Sequence, residues 1–356
     1  MTAAVTSRSG DSIPSIDAAP VALPRLGFLG LGWIGRQRMI ALAASGRAQV
    51  AALVDPSREN VAAAHQERPG AEVLESFDAL LQSDVDGIVI ATPSGLHASQ
   101  AIAALEHGKA VFCQKPLARS AAEARAVLAA ARAADRLLGV DLSYRFTTAM
   151  EQVAQGVRSG EIGSVYAVEL VFHNAYGPDK GWCYDPALAG GGCVMDLGVH
   201  LVDLALWSLG FPDVTGASAR LFAAGTPLAH HAAQVEDYAV AQLDLAGGVV
   251  VRLACSWRLP AGQDAIIGAT FYGTGGALAF RNVNGSFYDF AAERHAGATR
   301  LSLVEPPDAW PGRALIDWAT RLGAGVRFDA EAEQLVRISE AVDSVYDAAG
   351  IQRPEA

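Results

Sequence analysis

Cysteine is scarce in this sequence, and its four cysteines form no CxxC pair: Cys113, Cys183, Cys193 and Cys255. The sequence therefore predicts neither a disulfide framework nor a zinc knuckle, and a reducing cytoplasmic location is expected. His230-His231 is similar to a metal-binding pair. It has no third ligand at a suitable spacing, so no metal is predicted.

Positive charge is also in short supply, with 27 Lys and Arg against 38 Asp and Glu and a formal net charge of −11. Such a surface repels nucleic acid phosphates and anionic lipid, so neither is an expected partner. No apolar run is expected to be long enough for a membrane span. Residues 1–22 lack the basic and apolar regions of a signal peptide and are expected to form a disordered tail.

Hydrophobic residues (51%) and glycine (36 of 356 residues) are abundant instead. A chain of this length predicts two domains. Residues 23–143 alternate short strand patterns such as Arg25–Leu29 with helical segments, which predicts a doubly wound parallel sheet of the Rossmann type, an α/β fold. Residues 144–350 are rich in alternating strand patterns, and Gly247-Gly248 marks a hairpin. They predict an α+β domain with a large, mainly antiparallel open sheet and C-terminal helices over 311–349.

A glycine-rich turn follows the first strand and opens a helix, Gly30-Leu31-Gly32-Trp33-Ile34-Gly35. The GxGxxG pattern alone also fits a turn without function. Here, however, Asp55 ends the next strand 20 residues beyond Gly35, the spacing at which a carboxylate meets the adenosine ribose of a dinucleotide. Gly30 permits the tight turn, Gly32 lets the pyrophosphate approach the helix N-terminus, and Gly35 lets the helix pack closely on the sheet. The pattern predicts a dinucleotide site.

Asp55 favours NAD as the cofactor, because its carboxylate would repel the 2′-phosphate of NADP. Ser57 and Arg58 just beyond it are alternative ligands for that phosphate. Arg58 is equally typical of a solvated helix residue. NAD is therefore the predicted cofactor, with NADP as the alternative.

Two loops at the carboxyl ends of later strands are expected to border the nicotinamide, Thr92-Pro93-Ser94-Gly95-Leu96-His97 and Gln114-Lys115-Pro116. Farther on, Gly190-Gly191-Gly192 precedes a helix that carries Asp196 and His200 at positions i and i+4, on one face. Singly, a Lys-Pro after a strand also fits an ordinary turn, and an Asp/His pair fits a structural contact.

Together these motifs resemble the Gfo/Idh/MocA family, named for glucose–fructose oxidoreductase and inositol dehydrogenase, over residues 23–350. The resemblance implies a Rossmann domain, a second domain with an open sheet, and a homodimer or homotetramer formed through that sheet. It also implies nicotinamide-dependent oxidation of a sugar or cyclitol hydroxyl, with Lys115, Asp196 and His200 as the catalytic set. Gln114 departs from the Glu of many members, and we interpret it as a cofactor contact without an acid–base role.

His200 is the expected base, since an imidazole titrates near neutrality. Lys115 would polarise the reacting oxygen or take part in the proton transfer itself, and both roles stay open. Expected cofactor contacts beyond the glycine loop are Ser57, Arg58, Thr92, Pro93, Ser94, His97, Gln114, Lys115 and Arg145. Expected substrate contacts are Lys115, Arg145, His173, Asn174, Trp182, Tyr184, Asp196 and His200.

Two other functions fit such a fold. Some relatives use bound NAD transiently to cleave or eliminate a glycosidic bond, and dinucleotide folds also serve as regulatory modules. Net hydride transfer to added cofactor would exclude the first function. A regulatory module has no need of a Lys/Asp/His set. The sequence thus predicts an NAD(P)-dependent oxidoreductase acting on a sugar, cyclitol or related polyol.

Overall fold

The computed structural model describes residues 23–228 and 234–352. The expected tail at 1–22 and the His230-His231 pair lie outside these ranges. The four cysteines are free thiols, and three of them are buried. Two sheets, one of six strands and one of nine, organise the described chain.

The first sheet is parallel, with the strand order β3-β2-β1-β4-β5-β6. Its strands are β1 (Arg25–Leu29), β2 (Gln49–Val54), β3 (Glu72–Val73), β4 (Gly87–Ile90), β5 (Ala110–Cys113) and β6 (Leu138–Val140). The connecting helices are α1 (Trp33–Ser45), α2 (Arg58–Glu67), α3 (Phe77–Gln82), α4 (Ser94–Glu106) and α5 (Ala121–Ala134). Strands β4 and β5 are buried throughout, as expected of a sheet with helices on both faces. The predicted Rossmann architecture is confirmed.

The second sheet is mainly antiparallel, in the order β15-β14-β13-β12-β7-β11-β10-β8-β9, with one parallel pair between β7 and β11. Its strands are β7 (Val165–Asn174), β8 (Val214–Ala223), β9 (Thr226–Pro227), β10 (Tyr238–Leu245), β11 (Val250–Ser256), β12 (Ala265–Gly273), β13 (Gly276–Asn282), β14 (Phe290–Ala296) and β15 (Thr299–Val304). The remaining helices are α6 (Thr148–Arg158), α7 (Pro186–Ala189), α8 (Val199–Ser208), α9 (Arg313–Gly323) and α10 (Glu333–Ala348). The predicted large open sheet is confirmed.

One face of the second sheet is covered by helices and the other is open. Val168, Leu170 and Phe172 of β7 are buried on the helix side together with residues of α6 and α8. A cavity of about 930 Å³ lies along the open face, lined by polar and charged side chains such as Arg220 and Gln242. The open face therefore lacks the apolar cover that the other face has.

The C-terminal helices do not pack only on the domain to which the sequence assigned them. The segment 311–349 was expected in the second domain, but Trp318 of α9 packs on Phe112 of β5, with ring centroids 5.7 Å apart. Helix α10 contacts both α5 of the first domain and β8 of the second. Helix α9 thus packs on the first domain, and α10 contacts both domains.

One helical segment is more apolar than the sequence prediction allowed. Pro186–Ser208 spans 23 residues with a mean hydropathy of 1.3, long and apolar enough to cross a membrane by those measures alone. However, 83% of that window is buried inside the molecule. Its hydrophobicity is that of a core helix, and it carries two of the predicted catalytic residues.

Candidate active site

The glycine loop has the geometry of an anion site. Gly30 has φ +91°, and a Cβ there would lie 2.5 Å from the Ala91 carbonyl oxygen. A Cβ on Gly35 would collide with the Gly30 carbonyl, whereas Gly32 faces open space. Helix α1 begins here without a side-chain cap and without an acidic residue in its first turn. Its N–H groups are therefore available to a pyrophosphate, and these residues fit a dinucleotide.

Asp55 lies beside this loop at the end of β2. Its carboxylate accepts hydrogen bonds from the backbone N–H of Leu31 (2.6 Å) and Ser57 (2.8 Å) and from the Asn60 amide (3.2 Å). Ser57 caps α2 through its hydroxyl. Arg58 is exposed at the first position of that helix. The Asp55 carboxylate thus lies next to Ser57 and Arg58, the two residues that were expected as alternative phosphate ligands.

His97 joins the two loops that were expected beside the nicotinamide. Its Nδ1 lies 2.7 Å from the Pro116 carbonyl oxygen and its Nε2 lies 2.8 Å from that of Thr92. Burial lowers the pKa of His97, although both carbonyls act in the opposite direction. The imidazole is fully committed to protein groups, so it holds the loops together and is not free to contact a cofactor directly. The peptide bond between Lys115 and Pro116 is cis.

Gln114 belongs to a buried polar network. Its amide donates to Asp141 (2.7 Å), and the same carboxylate accepts hydrogen bonds from Arg38 (2.6 Å) and Ser143 (2.5 Å). Arg38 and Asp141 are both almost completely buried. One N–H of the Gln114 amide is therefore used by Asp141, and its carbonyl oxygen and second N–H are left for the cofactor contact that the sequence predicted.

Lys115 and Asp196, 81 positions apart in the chain, meet at one cleft. The Lys115 ammonium donates to the Asp196 carboxylate (2.5 Å) and to the backbone carbonyl of the same residue (2.7 Å). The second carboxylate oxygen of Asp196 accepts a hydrogen bond from Trp257 Nε1 (3.0 Å). Both charged groups are partly exposed to the cleft, which Ser94 and Trp182 also line. The lysine and the carboxylate are thus fixed beside open space.

His200 lies on the same helical segment as Asp196, but the segment is not the regular α-helix that was expected. Val194–Gly198 forms a π-helical turn, closed by the hydrogen bond from Val199 N–H to the Val194 carbonyl. Such turns recur at functional sites. The His200 imidazole is buried, and its Nδ1 has no hydrogen-bond partner among the described residues. Burial lowers the pKa of His200 well below 6.5, and the charges of Lys115 and Arg38 lower it further.

Glu236 anchors the glycine loop that leads into this segment, and sequence reasoning missed it. Its Oε1 accepts hydrogen bonds from the N–H groups of Gly192 and Val194, both at 2.9 Å, and from the Tyr346 hydroxyl at 2.8 Å. A Cβ on Gly192 would collide with the Glu236 backbone carbonyl, and one on Gly191 would collide with the Tyr346 hydroxyl. The glycines therefore make room for the close approach of Glu236 and Tyr346. No motif in the sequence marks Glu236.

Two predicted contacts are corrected by the structure. Arg145 pairs with Asp203, with Nε 2.9 and 3.0 Å from the carboxylate oxygens, and its guanidinium lies over Trp207. A buried carboxylate thus holds this guanidinium away from the cofactor and the substrate. His173 hydrogen-bonds Ser256 (2.7 Å) and stacks on Tyr238, across the open face of the second sheet. It faces away from the catalytic segment, because neighbouring strand residues point to opposite faces.

Other predicted substrate residues border the cleft to different degrees. Asn174 follows His173 and so points to the opposite face, and its buried side-chain oxygen has no partner among the described residues. Trp182 lines the cleft beside Lys115. The Tyr184 hydroxyl donates to the Pro178 carbonyl (2.9 Å), and its ring packs edge-on to Trp257. Tyr184 therefore supports the wall of the cleft.

Two family models match this chain. "Oxidoreductase family, NAD-binding Rossmann fold" covers residues 24–142, and "GFO/IDH/MocA C-terminal domain" covers residues 150–279. The chain belongs to the GFO/IDH/MocA oxidoreductase family. The first domain of this family member is an NAD-binding Rossmann domain.

Its relatives include named sugar oxidoreductases. The chain is 30% identical to the 1,5-anhydro-D-fructose reductase of Ensifer adhaerens, over 73% of this chain and 76% of that protein. It is 29% identical to the D-apiose dehydrogenase of Paraburkholderia graminis, over 86% of this chain and 80% of that one. A solved levoglucosan dehydrogenase in complex with NADH and levoglucosan shares the fold, with a TM-score of 0.79 at 20% identity over 92% of this chain and 97% of that one.

Proposed function

We propose that this GFO/IDH/MocA oxidoreductase transfers a hydride between NAD and a carbon of a small sugar or cyclitol that carries a hydroxyl or carbonyl group. The single observation that carries the proposal is the Lys115–Asp196 contact of 2.5 Å beside the unpartnered His200. The relatives' names support the substrate class, since they act on monosaccharides and related compounds.

Lys115 is the group that polarises the reacting oxygen in this proposal. An ammonium has three N–H donors, and two of them are engaged by Asp196. The third is available to a substrate oxygen and stabilises the negative charge that develops there. Asp196, itself held by Trp257, fixes the direction of that donor.

His200 is the proton acceptor in this proposal. The lowered pKa keeps the imidazole neutral near pH 7, so one ring nitrogen carries a lone pair for the hydroxyl proton. Nδ1 is buried without a partner among the described residues, and Nε2, which makes no hydrogen bond to a described residue, is the nitrogen left for a ligand. Bound NAD supplies the hydride acceptor. In this proposal Lys115 donates a hydrogen bond to the reacting oxygen, and His200 takes the proton.

Substrate and cofactor contacts are proposed for the remaining residues at the cleft. Asn174 has a buried oxygen that a substrate hydroxyl would satisfy, and Trp182 offers an apolar face to the C–H groups of a sugar ring. Asp55 favours NAD by binding the ribose hydroxyls, and Arg58 is the residue that would admit NADP. Thr92, Pro93 and Ser94 contribute backbone and side-chain contacts near the nicotinamide.

Two further features complete the proposal. The open face of the second sheet packs against a second copy of the chain, giving a homodimer or homotetramer. The buried free thiols fit a reducing compartment such as the cytoplasm.

The test is an NAD- and NADP-linked activity screen over neutral cyclitols, aldoses, their lactones and uronic acids. We expect turnover with NAD on a neutral polyol, and a loss of at least about 100-fold in kcat for Lys115→Met and for His200→Ala. Asp213→Asn is the control, because Asp213 lies on the surface in an ion pair with Arg337.

Three outcomes would contradict the proposal. Near-normal turnover in both active-site variants would remove the assigned roles. Tight NAD binding without turnover on the whole panel would favour a regulatory module instead. Cleavage of a glycoside without net change in NADH would favour the glycoside-cleaving alternative.

A further inference from the structure

Tyr144 lies directly beside the proposed base. It follows β6 in the short helical turn Ser143–Phe146, and its ring packs edge-on to His200 with centroids 4.9 Å apart. Phe172, Phe290 and Trp310 surround the same ring at 5.4–5.8 Å. Because four rings hold the phenol, its hydroxyl has one fixed direction.

Tyr144 is partly buried, and its hydroxyl has no hydrogen-bond partner among the described residues. Burial raises the pKa of Tyr144, and the Asp196 carboxylate and Tyr288 raise it further. The phenol therefore stays protonated, and its O–H is a neutral donor and acceptor close to the Asp196 carboxylate. An unpaired hydroxyl on a ring that is fixed against the proposed base points to a ligand.

Tyr288 lies farther toward the surface than Tyr144. It lies in the hairpin between β13 and β14, where Ser286 Oγ accepts its N–H (3.1 Å) and its carbonyl accepts Trp310 Nε1 (2.9 Å). Its backbone is thus fixed, while its side chain is 49% exposed and its ring lies 6.4 Å from that of Trp310. Its hydroxyl also has no partner among the described residues.

We propose that the hydroxyls of Tyr144 and Tyr288 form a subsite that binds the hydroxyl groups of the substrate remote from the reacting carbon. This inference rests on the proposed function and deepens it. His200, Tyr144 and Tyr288 follow one another from the buried base to the solvent-exposed surface. A ligand that reaches both phenols needs hydroxyls on carbons beyond the oxidised one, which favours a ring-form polyol. A small alcohol with a single hydroxyl would leave both phenols unused.

The experiment compares Tyr144→Phe and Tyr288→Phe with the native enzyme, using the best substrate of the activity screen and its monodeoxy analogues. Phenylalanine keeps the ring contacts and removes only the hydroxyl. We expect Tyr144→Phe to raise KM about tenfold, and Tyr288→Phe about threefold, with little change in NAD affinity. The control is Tyr272→Phe, since Tyr272 bonds Glu169 on the open face of the second sheet, and it should leave KM unchanged.

The deoxy analogues separate recognition from a structural effect. For the analogue that lacks the hydroxyl bound by Tyr144, the native enzyme and Tyr144→Phe should have the same KM. If Tyr144→Phe and Tyr288→Phe show native KM values, or an equal penalty on every analogue, the subsite is wrong while the oxidoreductase function stands. If the native enzyme turns over no polyol, both proposals fall together.

Discussion

At the scale of single residues, charged side chains that the sequence offers as ligand contacts form ion pairs with buried residues instead. Arg145 was expected at the cofactor, but Asp203 holds it. Burial raises the pKa of Asp203, although Arg145 acts in the opposite direction. Arg38, which carries no motif, compensates Asp141 in the core. A buried charge requires a partner, and the sequence does not name that partner.

Arg38→Met should destabilise the protein, because it leaves the Asp141 carboxylate buried without its cation. Removing one partner of a buried pair costs roughly 3–5 kcal/mol, which urea denaturation followed by fluorescence would measure. The matched control is Arg25→Met, whose ion pair with Asp84 is at the surface and should not matter. Equal denaturation midpoints for the two variants would show that the network is not stabilising.

The pH dependence of alcohol oxidation should report the state of His200. The base acts as a neutral imidazole, and its pKa is lowered in the folded protein. Activity should therefore persist as pH falls through about 6.5 and decline only below the usual histidine range. The same shift makes the contribution of His200 to stability complete above about pH 6.5 and lost as pH falls through the lowered pKa. A kcat/KM profile with its acidic limb at or above about 6.5 would contradict the assignment.

At the scale of elements, the helical segment that carries Asp196 and His200 depends on contacts outside itself. The glycines before it leave room for Glu236, and α10 contributes Tyr346 to the same carboxylate. Burial raises the pKa of Glu236, while the hydrogen bonds from Val194, Tyr346 and Gly192 lower it. The π-helical turn with Asp196, and His200 in the helix that follows, are thus positioned by Glu236 just before β10 and by α10.

Glu236→Ala should lower kcat at least tenfold and destabilise the fold, because the N–H groups of Gly192 and Val194 lose their acceptor. Each unsatisfied buried group costs about 1–3 kcal/mol. Glu236→Gln keeps an acceptor oxygen and should keep most of the activity. Steady-state kinetics and NAD titration would separate positioning from unfolding. A Gln variant as impaired as the Ala variant would mean that the negative charge itself matters.

At the scale of the whole molecule, the two sheets have opposite relations to solvent. The first is covered by helices on both sides, whereas the second leaves one face open along a cavity of about 930 Å³. Val240 on β10 is exposed in the middle of that face. An uncovered sheet of nine strands is a surface suited to pairing with a second copy.

Val240→Asp should convert the proposed oligomer into monomers, because it places a charge in the centre of the apposed faces. Light scattering coupled to size-exclusion chromatography would measure the mass. Val73→Asp, on the exposed β3 of the first sheet, is the matched control and should leave the mass unchanged. A monomeric native protein, or an unchanged mass for Val240→Asp, would refute assembly through this face.

The sequence by itself determined the Rossmann domain, since its strand spacing, the glycine turn and Asp55 are local patterns that backbone geometry dictates. It also identified Lys115, Asp196 and His200 through motifs, and the first two meet at 2.5 Å. The pairing of strand β8 with β10 and the placement of α9 on the first sheet depend on contacts between separate segments of the chain, and no local pattern records them.

Only the tertiary structure decided which polar groups remain free for a ligand. His173 and His97 look as available as His200 in the sequence, yet His173 bonds Ser256 and His97 is buried between two carbonyl oxygens. Tyr144 and Glu236 have no motif, because their roles arise from neighbours far along the chain. A hydrogen bond satisfies a group only where the fold brings a partner within about 3 Å, and that proximity is a property of the folded chain.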